Sequence, residues 1–272
     1  MPLIIFTDLD GTLLNQEDYD YQPAIPMLEK FKLKGIPVIP VTSKTRAEVA
    51  QLRSNIGLND PFIVENGSGI FGLPKDNRFS FSKSILKDKY AVKLLGCNYQ
   101  EARTGLKQIS TDLGEDLRGF GDLSSTELQS LTGLPIEEVK LAQNREFTEP
   151  FITPKNISAA TIEQTAAKYN FRVLLGDRFS HLIGDNAGKG KAVKWLLDNY
   201  RTPDSTEKIV TVGLGNSPND LEMLESVDIP IVIASQKGVH PQLKEKNWKV
   251  ADAPGSQGWA EATAYIYEQF FD

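Results

Sequence analysis

Apolar residues in this chain fall into short continuous runs rather than strict alternation. Residues 3–7 (LIIFT), 36–42 (IPVIPVT), 62–64 (FIV), 209–213 (IVTVG) and 229–234 (IPIVIA) are of this kind. Continuous hydrophobicity predicts strands buried on both faces, as in a parallel sheet. Between the runs the apolar positions change to helical spacing. Residues 23–34, 44–56 (Val49, Leu52 and Ile56 on one side) and 191–200 (Val193, Leu196 and Leu197) predict helices. Strand–helix alternation predicts a doubly wound α/β fold with right-handed crossovers.

The alternation weakens in the middle of the chain. A turn-rich stretch at 72–77 (GLPKDN) precedes this region, and 184–188 (GDNAG) closes it. The reading is an inserted second domain over residues 84–184, with 1–83 and 185–272 together forming the main domain. An insert of about a hundred residues can hold a core of its own.

Composition narrows the chemistry. The 272 residues carry 30 Lys plus Arg against 36 Asp plus Glu, a net charge of −6. No basic excess exists to coat a nucleic acid. No stretch approaches the ~20 apolar residues of a membrane span, and the first apolar run meets Asp8 too early for a secretory leader. Cys97 is the single cysteine, and His181 and His240 are the only histidines. An intrachain disulfide and a cysteine or histidine-rich metal cluster are thereby excluded, and a reducing, cytoplasmic setting is the simplest expectation. Any chemistry falls to carboxylates, hydroxyls and lysines.

Asp8-Leu9-Asp10-Gly11-Thr12 follows the first apolar run directly. Two carboxylates at the carboxyl edge of a parallel sheet lie where such sheets bind ligands. They repel each other unless a cation sits between them, and hard oxygen ligands suit Mg²⁺. An EF-hand would need glycine at loop position six, whereas Gly11 is fourth from Asp8. Thr42-Ser43-Lys44-Thr45 ends the second run and opens a helix; these hydroxyls can cap the helix or hold a phosphate. Gly188-Lys189-Gly190 opens another helix without the spacing of a nucleotide P-loop. Residues 213–220 (GLGNSPND) again place oxygen-bearing side chains after a strand, as helix caps, ligands or both. Residues 67–72 (GSGIFG) have dinucleotide-site spacing, but turn residues follow instead of a helix, so this stretch reads as a hairpin or turn.

In this order and spacing, DLDGTLL, Thr42/Ser43, Lys189 and GNSPND resemble the four motifs of the haloacid dehalogenase superfamily of phosphatases. The middle insertion resembles the α+β cap of its type IIB, Cof-like branch. A narrower resemblance, to the mannosyl-3-phosphoglycerate phosphatase family, rests on VTSKTRAE (41–48), VENG (64–67), REFTEPF (145–151), DRFSHL (177–182) and GKGKAVKWLL (188–197). The first acid usual in motif four is here Asn216, which offers a neutral carbonyl where a carboxylate is expected.

The resemblance implies a Mg²⁺-dependent phosphatase acting on a small phosphorylated sugar or glycerate, without nucleic-acid or membrane partners. Nothing in the residues sets an oligomeric state. Asp8 would be the nucleophile and Asp10 the acid–base. Asp8, Asp10, Asn216 and Asp220 would hold the metal, and Thr42, Ser43 and Lys189 the phosphate. Lys44, Asn66 and Asn219 would also contact substrate. In the cap, Arg145 and Arg178 would bind a substrate carboxylate, and Glu146, Glu149 and His181 would read hydroxyls. A broader sugar-phosphate phosphatase, a phosphomannomutase-like phosphotransferase and a non-catalytic protein of the same fold are the alternatives.

Overall fold

A computed structural model describes residues 2–82, 84–176, 178–201 and 208–271. The chain begins with β1 (Leu3–Thr7), α1 (Ile25–Lys34), β2 (Val38–Pro40), α2 (Arg46–Ile56), β3 (Phe62–Val64) and β4 (Gly69–Gly72). It continues through β5 (Ile85–Lys87), β6 (Tyr90–Leu94), α3 (Tyr99–Leu113), α4 (Ser125–Thr132), α5 (Ile136–Gln143) and β7 (Glu149–Ile152). Next come α6 (Ala159–Ala167), β8 (Phe171–Leu174), β9 (Phe179–Gly184), α7 (Lys189–Asp198) and β10 (Val210–Gly215). The last elements are α8 (Leu221–Leu224), β11 (Ile229–Val232), α9 (Pro241–Lys244), β12 (Lys249–Val250) and α10 (Gly255–Phe271).

Five strands form a parallel sheet in the order β12-β11-β10-β1-β2. Each continuous apolar run serves both faces. Leu3 and Ile5 of β1 pack into one core with Phe31 of α1 and Trp259 of α10. Ile4 and Phe6 pack into another with Val193 and Leu196 of α7. Val38 and Ile39 of β2 divide in the same way. Two cores on opposite faces are what a doubly wound sheet requires.

Helix limits follow local signals. Gly35 at φ 67° and Gly57 at φ 71° end α1 and α2, using the left-handed region that glycine enters without strain. Thr45 and Glu48 form a capping box at the start of α2. Lys189 is the first residue of α7, two positions earlier than the apolar spacing predicts.

Residues 67–72 are the hairpin that the sequence predicts, with β3 antiparallel to β4. The expected division at residue 84 does not match the strand pairing. Strand β6 pairs with β4, and β5 with β6, so residues 85–94 extend the sheet of the first segment. Ile85 and Leu86 of β5 are exposed while Tyr90, Ala91 and Val92 of β6 are buried, so the buried apolar stretch of this hairpin is only three residues long.

After Leu94 the chain builds an antiparallel sheet, β7-β9-β8, packed with α3 and α6. Leu106, Ile109, Phe151, Ile162 and Leu182 form its core, and Phe120, Leu128 and Val139 a smaller one near α4 and α5. This α+β unit is the cap. Among the described residues, no helix is long and apolar enough to cross a membrane.

Candidate active site

The carboxyl edge of the parallel sheet collects Asp8 and Asp10 after β1, Thr42 to Lys44 after β2, and Asn216 to Asp220 after β10. Lys189 enters from the first turn of α7. Its ammonium is 2.7 Å from Asp8 Oδ1 and 2.6 Å from Asp220 Oδ1, and all three residues are buried. Burial and the charge of Asp220 push the Asp8 carboxyl upward, and Lys189 pulls it back toward the ionised form. The lysine is held charged by its two carboxylates against the cost of burial.

Asp220 also organises its own loop. Its Oδ2 accepts from Asn216 N at 2.9 Å and from Ser217 N at 3.0 Å. Asn216 Nδ2 in turn donates to the Asp10 carbonyl at 3.0 Å. The approach is close: at Gly11, φ 75°, a Cβ would stand 2.1 Å from Asn216 Nδ2. Asp10 Oδ1 lies 3.1 Å from Lys44 Nζ, which also faces Glu48 at 3.5 Å. Burial raises the Asp10 carboxyl, with Lys44 as the main opposing influence.

Thr42 is buried, and its Oγ1 accepts from Lys44 N at 3.1 Å. The Ser43 carbonyl accepts from Arg145 Nη2 at 3.1 Å. Asn66 Oδ1 accepts from Asn219 Nδ2 at 3.1 Å, so these two expected contact residues meet.

The cap residues divide. His181 lies on β9, and its enclosed imidazole is pushed down to about 3 by burial, then by Arg145 and Lys189. Its Nδ1 is buried without a hydrogen-bond partner. Arg145 is buried and links Ser43 to Thr148 and Glu65. Glu146, expected to read hydroxyls, is instead paired with Arg46 and Lys87. Arg178 is exposed and donates to the Leu131 carbonyl. Glu149 points into the cap, where Oε1 accepts from Arg103 at 3.0 Å and Gly121 N at 2.9 Å. Asp177 lies outside the described residues.

Glu65 was not anticipated. Fully buried, its carboxylate accepts from the backbone N–H groups of Glu146, Phe147 and Thr148 at 2.8, 3.2 and 2.9 Å, and from Thr148 Oγ1 at 2.8 Å. Its own backbone (φ 49°) and that of Asn66 (φ 57°) are left-handed. The available signal was an acid at a strand end followed by Asn-Gly, a turn pair that tolerates positive φ.

The donor set suits a hard divalent cation. Asp8 Oδ2, whose contact with Thr12 Oγ1 is a long 3.4 Å, the Asp10 carbonyl and the Asn216 side chain supply oxygen donors on this edge, although the Asn216 amide turns its nitrogen toward the Asp10 carbonyl. Two of these are neutral carbonyl oxygens, and Lys189 already bridges Asp8 and Asp220. Among the described residues there is accordingly no cage of three or more His, Cys, Asp or Glu side chains.

A family model described as haloacid dehalogenase-like hydrolase matches residues 5–111, and one for sucrose-6F-phosphate phosphohydrolase matches 142–267. A glucosyl-3-phosphoglycerate/mannosyl-3-phosphoglycerate phosphatase of Persephonella marina is 41% identical, covering 96% of this chain and 95% of the relative. The chain belongs to the haloacid dehalogenase-like phosphatases. This phosphatase is also 36% identical to a mannosyl-3-phosphoglycerate phosphatase of Pyrococcus furiosus, over 85% of its length and 90% of the relative's. Its fold is that of the sucrose-phosphatase from Synechocystis, solved with sucrose and phosphate (TM-score 0.62, 16% identity, 98% of each chain). A phosphatase of the superfamily from Bacteroides thetaiotaomicron shares it too (TM-score 0.68, 15% identity, 98% of this chain and 95% of that one).

Proposed function

We propose that this phosphatase hydrolyses a glycosyl-3-phosphoglycerate, mannosyl or glucosyl, to glycosylglycerate and phosphate. The observation that carries the reading is the relative with both substrates in its name, 41% identical over nearly the whole chain. The buried Asp8–Lys189–Asp220 arrangement supports the chemistry. Asp8 attacks phosphorus, the ester P–O bond breaks, and Asp10 gives its proton to the leaving alkoxide. Water then attacks the aspartyl-phosphate, Asp10 takes the water's proton, and phosphate departs with Asp8 regenerated. Lys189, with Thr42 and Ser43, holds the phosphoryl oxygens, where charge develops. Asp8, the Asp10 carbonyl and Asn216, with Asp220 in support, would hold Mg²⁺, which would supply neutralisation of the negative charge that the two anions bring together. Arg145 and His181 close the phosphate end from the cap side.

A second reading, a broader sugar-phosphate phosphatase, draws on the sucrose-6F-phosphate phosphohydrolase model over 142–267. Phosphate release from both glycosyl-3-phosphoglycerates and a panel of simple sugar phosphates, with Mg²⁺, separates the two. Preference for the glycosyl-phosphoglycerates is expected; release from the simple phosphates alone favours the second reading. Asp8→Asn should lower turnover by about a thousandfold or more, and a retained rate removes Asp8 as nucleophile.

A further inference from the structure

A cavity of about 210 Å³ opens between the segment after β1, helix α2 and cap helix α5. Its lining includes Tyr19, Lys44, Gln51, Asn55 and Glu138. The volume far exceeds the ~10–15 Å³ that admits one water and falls short of the ~300–1,000 Å³ of sites for drug-sized ligands. It suits a single monosaccharide ring.

Position ties the cavity to the chemistry. Lys44 lines it, with its ammonium 3.1 Å from Asp10 Oδ1 and 4.9 Å from the Tyr19 ring centroid. A group leaving phosphorus past Asp10 therefore reaches the cavity across one side chain. Tyr19 holds φ 56°, an uncommon region for an aromatic residue. Burial, Asp10 and Glu138 push its hydroxyl upward, which places that hydroxyl among the acids of both core and cap.

Charge selects the occupant. Lys44 is already matched by Asp10 and Glu48, and Glu48 and Glu138 both line the cavity, so a second anion is disfavoured. A neutral polyhydroxyl group is not. Amides both donate and accept, and a carboxylate accepts two or more hydroxyl hydrogens.

Resting on the glycosyl-3-phosphoglycerate reading, we propose that this cavity is the glycosyl subsite: the Tyr19 ring packs against a sugar face, and Gln51, Asn55 and Glu138 bond its hydroxyls. Gln51 and Asn55 are exposed on α2, so their replacement leaves the fold intact. The test measures kcat/KM of Gln51→Ala, Asn55→Ala and the double variant on both glycosyl-3-phosphoglycerates and on 3-phosphoglycerate, which lacks the sugar. The ratio of glycosyl to sugarless kcat/KM should fall about tenfold in the double variant, mostly through KM. Inhibition by glycosylglycerate should weaken in parallel, relative to inhibition by inorganic phosphate. A ratio within about twofold of wild type, with the wild type active on the glycosyl substrates, overturns the subsite and leaves the substrate assignment standing. A wild type inactive on both glycosyl substrates yet active on other phosphomonoesters overturns both.

Discussion

Asn216 donates its amide nitrogen to the Asp10 carbonyl, and in the proposed mechanism its amide oxygen would stand in for a metal-binding carboxylate. Asn216→Asp removes the donor, which should cost about 1 kcal/mol without metal. It also adds a charge, which should lower the Mg²⁺ concentration for half-maximal activity severalfold. Metal titration with thermal melting reads both effects; unchanged Mg²⁺ dependence removes Asn216 from the ligands. His181 is pushed down to about 3 by burial, Arg145 and Lys189, from an ordinary 6.5. The unfolded chain therefore binds the extra proton first as pH falls. Stability from this group is complete above pH ~6.5 and drains on the way to pH ~3, at no more than ~1.4 kcal/mol per pH unit. His181→Gln should flatten the acid limb of a plot of melting temperature against pH; an unchanged limb refutes the assignment. The gathering of Asp8, Lys189 and Asp220 at one sheet edge was legible because each stands beside a strand end or helix start. The partners of Glu146 and Arg178, namely Arg46, Lys87 and the Leu131 carbonyl, were not legible, because they come from distant segments that no local spacing reveals.

Among elements, the turn between β3 and β4 carries more than a reversal. Glu65 gathers residues 146–148 at the entry to β7, and Thr45, the cap of α2, donates its hydroxyl to the Leu141 carbonyl of α5 at 2.9 Å. Both links join core to cap beside the loop of Ser43 and Lys44. Glu65→Gln keeps the shape but surrenders the charge facing Arg145 Nε, 3.3 Å away. Removing one partner of a buried pair costs about 3–5 kcal/mol at the extreme, and the amide should recover part of that. The expected result is a lower urea midpoint and a raised KM; an unaltered KM with the lower midpoint makes Glu65 purely structural. The strands of the parallel sheet were readable because burial on both faces leaves continuous apolar runs. Strands β5 and β6 were not, since the edge strand exposes Ile85 and Leu86.

At the scale of the molecule, the cap has cores separate from the two that flank the parallel sheet. Units with their own cores unfold together only while contacts between them outweigh their independence. Glu65→Ala should therefore split a single unfolding transition into two, read by calorimetry. One undivided transition would show that other contacts suffice. The doubly wound class was legible from the spacing of apolar runs, whereas the contact between core and cap was not, because it is built from polar groups paired across the chain. The strand order has a further consequence during synthesis. Strand β1, which leads to Asp8, lies between β2 and β10, and its pairing with β10 runs from Leu3 to Thr7. Until the ribosome has released the last third of the chain, that strand has a neighbour on one side only. Lys189 and Asp220 are also still missing. Asp8 is thus made first and gains its buried partners last.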